Sequence, residues 1–392
     1  MRHKNFLMVL IFLNLFFVNA KSGQAIPSFA RKYNYVCTVC HTMPPKLNKF
    51  GLAFMADGYQ LNVHTELQDK LQQTKNLSLL RTIPLSLRII ADAHYTFEKD
   101  QPRTDLHLPE EVVLYSAGSL TEKISYWITG EPFENEGLDE AFVKFLVNYN
   151  NPYVTIKLIK AGLMDMRDYY NFASGRNFTI ENYAIHAATL QGVNPFSLGK
   201  AQRTIELRGM FTNMTMWTIA LTNGPESILG EFDQNNEKDI YFRVHRLFLG
   251  QYAIGGLGYW GTNTLSTGEK SRFQRYLIDI DIDRERLDLT GTALFAQDES
   301  LASVFSVSSV NHFGYFIEVN FHLAPKEHLL FRYDFVDSKD VERRDFPELF
   351  AETVTLQMNY FHRLNLRFIS EAVIDLSGRN DHILRLGIDF DF

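Results

Sequence analysis

Apolar and polar residues alternate along most of the chain after residue 80. From Leu85 to Phe97 every odd-numbered position is apolar, and every even-numbered position except Ile90 is polar. A period of two indicates β-strands whose two faces meet different surroundings. The pattern recurs to the end of the chain, where the even-numbered positions from Leu384 to Phe392 are apolar.

Sixteen strands are predicted from this pattern. Most are ten to thirteen residues long, and the connections between them are alternately short and long. An even number of strands of a length that crosses a bilayer, with short turns at one end, is typical of an outer-membrane antiparallel β-barrel. The predicted strands cover residues 85–98, 109–120, 124–133, 138–149, 152–160, 201–212, 214–223, 238–248, 251–261, 271–283, 285–297, 311–323, 327–337, 352–361, 364–375 and 381–392.

A soluble all-β sandwich or lipocalin-like barrel is the alternative fold class. Soluble strands are usually five or six residues long, and a soluble barrel turns its apolar face inward. Here the face opposite the apolar one carries Arg, Asp, Glu and Asn, which suits a wide lumen, and 32 Phe and 18 Tyr can supply two aromatic girdles. The sequence therefore favours a membrane barrel over residues 81–392, with both ends on the periplasmic side.

The first twenty residues have the pattern of a secretory signal peptide. A basic stretch from Arg2 to Lys4 precedes an apolar core from Phe6 to Val18, and small residues follow at Asn19 and Ala20. Such a segment is normally removed after export, and an uncleaved anchor is the alternative. The formal net charge of −7 argues against nucleic acid as a partner.

The only two cysteines of the chain lie within one pentapeptide, Cys37-Thr38-Val39-Cys40-His41. This C-x-x-C-H spacing is the attachment signature of c-type haem, in which two thiols bind the haem vinyl groups and the histidine ligates the iron. A zinc half-site or a redox dithiol would share the C-x-x-C. A zinc site needs two further ligands at suitable spacing, and none follows. We therefore expect one covalent haem c on Cys37 and Cys40, with His41 as the proximal ligand.

Residues 21–80, here called the N-terminal segment, are too few to fold easily alone. One helix is predicted from Pro45 to Tyr59, where apolar residues recur at helical spacing. Covalent haem would supply part of the missing core. We expect packing against the barrel to supply the rest, with the segment plugging the lumen or its periplasmic mouth.

A dense motif surrounds the two cysteines. It comprises Ile26-Pro27-Ser28-Phe29-Ala30-Arg31, Cys37-x-x-Cys40-His41, Pro45-x-Leu47-Asn48-x-Phe50-Gly51, Phe54 and Gly58-Tyr59. Over about 35 residues this stretch resembles the fused monohaem cytochrome–porins of bacterial outer membranes, and the remaining chain matches them only in architecture. The resemblance implies electron transfer between an extracellular donor or acceptor and periplasmic carriers.

The resemblance implies ferrous iron as one possible extracellular donor, so a more specific hypothesis is that the protein is a ferrous-iron oxidase. A porin-like channel whose N-terminal segment is a structural plug or sensor is the alternative. The sequence leaves open the direction of electron flow, the conduction of solutes and the oligomeric state. The expected partners of the protein are outer-membrane lipid, periplasmic electron carriers and an extracellular metal or redox partner.

The second axial ligand of the haem iron has three candidates. Met55 lies on the apolar face of the predicted helix, and His64 follows that helix. His94, on the polar face of the first strand, is more distant. A methionine ligand raises the haem potential relative to two histidines. The spacing does not choose among them.

Two further groups lie on the predicted polar faces and loops. Asp279, Asp281, Asp283 and Asp288 cluster about a tight turn, and we interpret them as an ordinary charged lumen wall rather than a metal site. The long connection 161–200 is expected to fold inward and narrow the lumen. Its candidate gate residues are Asp165, Arg167, Asp168, Tyr169, Tyr170 and His186.

Overall fold

The computed structural model describes most of the barrel and part of the N-terminal segment. The described residues are 29, 33, 35–44, 46–56, 59, 70–74, 77–80, 84–97, 102–121, 123–132, 138, 140–151, 153–164, 179–180, 182–190, 192–211, 215–224, 236–248, 251–265, 267–299, 301–302, 304, 307–378 and 381–392. The predicted signal peptide, His64 and residues 165–170 lie outside them.

Sixteen antiparallel strands form one closed barrel, as the alternation predicts. Closure is made by the last strand, β20 (His382–Asp391), and the first strand of the barrel, β5 (Leu85–Phe97), which pair Phe390 with Ile89 and Asp391 with Arg88. The strands are β5 (Leu85–Phe97), β6 (Pro102–Ser119), β7 (Ile124–Gly130), β8 (Glu140–Asn150), β9 (Val154–Met164), β10 (Gln202–Phe211), β11 (Thr215–Thr222), β12 (Asp239–Phe248), β13 (Tyr252–Thr264), β14 (Lys270–Arg284), β15 (Leu287–Glu299), β16 (Ser309–Ala324), β17 (Glu327–Ser338), β18 (Ala351–Arg363), β19 (Leu366–Asp375) and β20 (His382–Asp391).

Burial in this barrel is inverted relative to a soluble protein. Ile278 is 58% exposed on the outer face, whereas the inward-facing Arg332 of β17 is fully buried. Other outward-facing apolar residues are also exposed, among them Ile205, Ile219, Phe295, Ile317 and Ile388. Apolar side chains outside and charged side chains inside are the arrangement of a barrel surrounded by lipid.

The strand β6 is longer than predicted. It begins at Pro102 rather than at 109, because its pairing with β5 continues past Pro109. The register shifts where residues 108–110 stand opposite Ala91. Proline is tolerated at such a bulge because no regular ladder hydrogen bond is needed there.

The connection between β9 and β10 fills part of the lumen. Its short helix α2 (Ala184–Ala187) contacts β16 and β17. Tyr183 stacks on Phe316 with ring centroids 4.0 Å apart and donates a hydrogen bond to Glu318 at 3.1 Å. The described part of this connection therefore lies inward, and the barrel interior is packed there. His186 is buried beside Tyr183.

The N-terminal segment contains less helix than predicted. Its helix α1 covers Lys49–Ala56, not residues 45–59, and none of the described helices is long and apolar enough to cross a bilayer. Two short strands, β1 (His41–Met43) and β2 (Lys46–Leu47), pair before α1, and β3 (Lys70–Thr74) pairs with β4 (Leu77–Leu80) after it. At the start of the predicted helix, the backbone of Lys46 and Leu47 pairs in a sheet instead. At its end, Tyr59 has a left-handed φ of 64° and is not helical.

Candidate functional site

The C-x-x-C-H pentapeptide forms a tight turn. Cys37–Val39 is a single 3₁₀ turn, closed by a hydrogen bond from Cys40 N to Cys37 O at 3.1 Å. Because residues three apart eclipse in 3₁₀ geometry, the two cysteines lie on the same side of the turn. His41 follows directly and begins β1. The two cysteines do not form a disulfide with each other.

Asn48 joins this turn to α1. Its side-chain amide donates to the carbonyls of Thr38 at 3.2 Å and Val39 at 3.0 Å, and its backbone N–H donates to Cys40 O at 2.9 Å. Its Oδ1 accepts a hydrogen bond from Gly51 N at 2.9 Å, which is the usual N-cap arrangement. One residue therefore caps the helix and holds the cysteine turn against it.

Gly51 allows the helix to approach the turn closely. A Cβ at this position would lie 2.1 Å from the carbonyl oxygen of Cys40, a backbone atom that cannot easily move away. The contact requires a residue without a Cβ. Asn48 and Gly51 thus belong to the motif because they shape the cysteine turn.

The cysteine turn faces a cavity between the N-terminal segment and the barrel wall. This Cys–His cavity has a volume of about 250 Å³, far more than the roughly 10–15 Å³ that a single buried water needs. Cys37, Cys40 and His41 line it on one side. Most of the remaining lining is aromatic or apolar and includes Phe29, Tyr33, Phe54, Tyr59, Tyr115, Ala117, Trp127 and Phe142.

These residues fit a covalent haem. Two thiols and an imidazole converge on one apolar, aromatic cavity, which suits a large flat ring and keeps water from it. At the edge of the cavity lie two buried guanidiniums, Arg88 and Arg367, which share the carboxylate of Asp389 at 2.9 Å and 2.7 Å. With the nearby Asp391, the formal charges of these two arginines and two aspartates cancel.

Burial raises the pKa of both thiols. For Cys37 the carboxylate of Asp391 adds to the effect of burial, and for Cys40 burial is the cause. The thiolate is the reactive form of cysteine. The folded protein therefore disfavours the thiolate form of both cysteines.

Of the candidates for the second axial ligand, the structure brings Met55 to the cavity. Met55 lines it and is partly buried against Phe54 and Tyr59. His94 lies on the inner face of β5, beside Asp92 and His107, and does not line the cavity. His64 lies outside the described residues, so the choice between Met55 and His64 stays a prediction.

An ion pair joins the N-terminal segment to the barrel. Lys46 Nζ lies 3.0 Å from Asp281 and 3.8 Å from Asp288, with its side chain almost fully buried. Burial alone would lower the pKa of Lys46, but Asp281 and Asp288 outweigh it, so that the pKa is raised above 10.5. The lysine is charged at neutral pH and holds β2 against β14 and β15.

The acidic cluster has protein partners. Besides the contact of Asp281 with Lys46, Asp279 forms a two-point pair with Arg243 at 2.7 and 2.8 Å. Asp288 lies 3.1 Å from His322 Nε2, and Asp283 accepts from Thr42 at 3.5 Å. This is the charged wall that the sequence favours, with three of its acids, Asp281, Asp283 and Asp288, in contact with the N-terminal segment.

A second set of contacts fixes α1 against the wall. Tyr59 stacks on Trp127 with centroids 5.3 Å apart, and Lys144 Nζ lies 4.3 Å from the centre of the Tyr59 ring. Lys144 also donates to the carbonyl of Met55 at 2.7 Å. Sequence reasoning missed Lys46, Trp127 and Lys144. The alternation put Trp127 and Lys144 in strands but gave no sign of what they contact.

Comparison with known proteins supports the barrel. No protein-family model matches the chain, and no curated protein matches its sequence. The structure is similar to an anion-selective porin from Comamonas acidovorans, with a TM-score of 0.59 and 10% identity over 79% of this chain and 99% of the porin. It is also similar to OmpF of Salmonella typhi in complex with daunomycin, with a TM-score of 0.55 and 9% identity over 79% of this chain and 98% of OmpF.

A third similar structure is the outer-membrane channel DcaP of Acinetobacter baumannii, with a TM-score of 0.54 and 12% identity over 79% of this chain and 97% of DcaP. At such low identities these likenesses concern the fold and not the activity. The chain therefore has the sixteen-stranded barrel fold of outer-membrane porins.

Proposed function

We propose that this chain is an outer-membrane cytochrome–porin that carries electrons through one covalent haem c. One observation supports the proposal most directly. Both thiols and the imidazole of the C-x-x-C-H motif face a single aromatic cavity, one wall of which is the inner surface of the barrel. A C-x-x-C-H motif by coincidence would not need such a cavity.

The residues of the cavity have distinct roles in this proposal. Cys37 and Cys40 would hold the haem covalently, each by addition of its S–H across one vinyl group, which consumes no oxidant. The ring nitrogen of His41 would ligate the iron, with Met55 or His64 as the second ligand. Bound haem would supply one-electron chemistry. Phe54, Tyr59 and their aromatic neighbours keep water away.

The N-terminal segment acts as a plug in this proposal. Its contacts through Lys46, Tyr59 and Met55 are with the barrel wall near the end that carries the tight turns, which would be the periplasmic end. A haem at that position would lie between the lumen and periplasmic carriers. An extracellular donor, ferrous iron among others, would reach it from the other end.

A porin-like channel with a structural plug is the second candidate. The similarity to porins in three solved structures favours it. The inward packing of Tyr183 on Phe316 argues against a wide open pore. The two candidates differ in what crosses the membrane, electrons or solutes.

The first experiment tests the shared premise. The full chain is expressed with a c-type haem maturation system, and the haem per polypeptide is measured by the pyridine haemochrome spectrum. One haem is expected in the wild type and none in C37S/C40S. A wild-type protein without covalent haem would overturn the proposal.

The second experiment separates the candidates. Liposomes containing oxidised soluble cytochrome c and the purified protein receive external ferrous citrate. The electron-transfer proposal expects reduction of the trapped cytochrome with the wild type and not with C37S/C40S. Haem-loaded protein that leaves the cytochrome oxidised, while passing small sugars in a swelling assay, would instead establish the channel.

A further inference from the structure

Two histidines and a carboxylate lie together on the inner wall of the barrel, outside the Cys–His cavity. Asp92 and His94 belong to β5, and His107 stands opposite Asp92 on β6. One ligand-capable atom from each lies within 4.8 Å of those of the other two. In the part of the chain that the structure describes, no other three histidine, cysteine or acidic side chains meet this closely.

More carboxylates surround His107 than one imidazole can satisfy. Its Nδ1 lies 3.0 Å from Asp92 Oδ1 and 2.6 Å from Glu110 Oε2, and its Nε2 lies 3.5 Å from Asp105. Each ring nitrogen can carry one proton at most. Three carboxylates around one imidazole concentrate negative charge at a point that a cation would neutralise.

Asp92 has an oxygen without a hydrogen bond. Its side chain is buried, and Oδ2 has no hydrogen-bond partner among the described residues. Arg385 Nε lies 3.8 Å from this oxygen, beyond hydrogen-bond distance, and Arg385 donates instead to Glu371 at 3.2 Å. Burial of a carboxylate oxygen that accepts no hydrogen bond raises the free energy of the folded protein. Coordination of this oxygen to a metal ion would remove that penalty.

The surrounding structure orients the two rings. Thr96 Oγ1 lies 2.8 Å from His94 Nε2, and the rings of His94 and His107 meet edge to face at 5.4 Å. A hydrogen bond to one nitrogen of a histidine is the usual support for ligation by the other. The bulge of β6 opposite Ala91 brings Glu110 to His107, and bulges commonly re-aim side chains beside functional sites.

We propose that Asp92, His94 and His107 bind a divalent transition-metal ion, with Glu110 at the edge of the site. Imidazole nitrogens suit first-row transition ions, whereas Mg²⁺ and Ca²⁺ prefer oxygen ligands alone. Two histidines and one carboxylate, with positions left open, form the ligand set of many non-haem ferrous sites. The expected ion is therefore Fe²⁺ or another divalent first-row transition-metal ion of similar size and softness.

The site lies between the Cys–His cavity and the end of the barrel that carries the long loops. Arg88, which lines the cavity, is four residues from Asp92 along β5, or about 13 Å at the rise of a strand. A metal donor bound there would be near a haem in the cavity. That role as an electron-entry site rests on the proposed function, whereas metal binding itself does not.

The test uses the full chain in detergent, titrated with Co²⁺ while its visible absorption is recorded. One Co²⁺ per chain is expected, with bands typical of nitrogen and oxygen ligands, and Zn²⁺ should displace it. In H94Q/H107Q the affinity should fall at least about tenfold. The variant H107Q, whose side chain is 31% exposed in the wild type, tests the same ligand with less risk to folding.

The control removes another inward-facing histidine pair. His322 and His328 meet edge to face at 4.8 Å on β16 and β17, and H322Q/H328Q should bind Co²⁺ as the wild type does. C37S/C40S should also bind normally, so a failed electron-transfer proposal would leave this result standing. Absence of Co²⁺ binding in the wild type, or wild-type affinity in both H107Q and H94Q/H107Q, would overturn the metal site.

Discussion

Asn48 determines the shape of the cysteine turn at the scale of single residues. The substitution N48A removes two amide hydrogen bonds and the helix cap, and we expect it to destabilise the N-terminal segment by about 2 kcal/mol. Haem attachment should fall with it, because the thiols are no longer held on one side of the turn. The measurement is haem per polypeptide together with the rate of proteolysis of the segment.

The variant N48D separates the two roles of this residue. An aspartate keeps the oxygen that caps α1 but loses the two donors to Thr38 and Val39. We expect haem attachment between that of the wild type and N48A. Full attachment and unchanged proteolysis in N48A would show that the turn does not depend on Asn48.

The residues that could be predicted from sequence are those whose chemistry is local. Cys37, Cys40 and His41 stand in one pentapeptide, so spacing alone suggests their use. Lys46 could not be found in this way, because its partner Asp281 is 235 residues distant in the chain. Gly51 was part of a motif, but its reason, the 2.1 Å approach to Cys40 O, requires coordinates.

At the scale of elements, period-two alternation is enough to find every barrel strand, because each strand separates lipid from the interior. It fails where another interaction decides the boundary. The bulge at residues 108–110 extends β6 past a proline, and pairing of β1 with β2 replaces the first turn predicted for the helix. Both depend on a partner strand that a local pattern does not contain.

The pairing of Lys46 with β14 gives a prediction about this element. In K46M, Asp281 and Asp288 are left buried without their cation, and removal of one partner of a buried pair typically costs about 3–5 kcal/mol. We expect the N-terminal segment to detach and to become sensitive to protease while the barrel stays folded. In K46M/D281N the protection should return in part, and a double variant as sensitive as K46M would refute a direct coupling.

The same pair predicts a dependence on alkaline pH. The pKa of Lys46 is raised in the folded protein. Its ion pair with Asp281 therefore stabilises the attached N-terminal segment fully below about pH 10.5, and this stabilisation is lost as the pH rises through the higher pKa of the folded state. Emission of Trp127, in a W217F/W260F background, should report detachment of Tyr59 above that pH. K46M/D281N has no such lysine, so an identical alkaline transition in it would contradict the assignment.

For the whole molecule, topology was predictable and the contents of the barrel were less so. The even strand count and alternating connections follow from the requirement that every strand edge be paired in a membrane. The alternation marks which residues face inward, but it does not say whether they face water. Tyr183 packs inside on Phe316 of β16 because the long connection between β9 and β10 has enough apolar residues to do so.

This inward packing leads to a prediction about conduction. Replacing residues 182–198 by a short Gly-Ser linker removes α2 and the apolar residues around it, so the lumen should open. We expect the wild type to conduct poorly in planar bilayers and the shortened variant to conduct several times more current at the same voltage. Shortening 376–381, whose described residues lie outside the packed interior, is the matched control and should change little. Equal conductance in the wild type and the loop variant would mean that ions bypass the connection. That result would favour a porin-like channel over an electron-transfer protein.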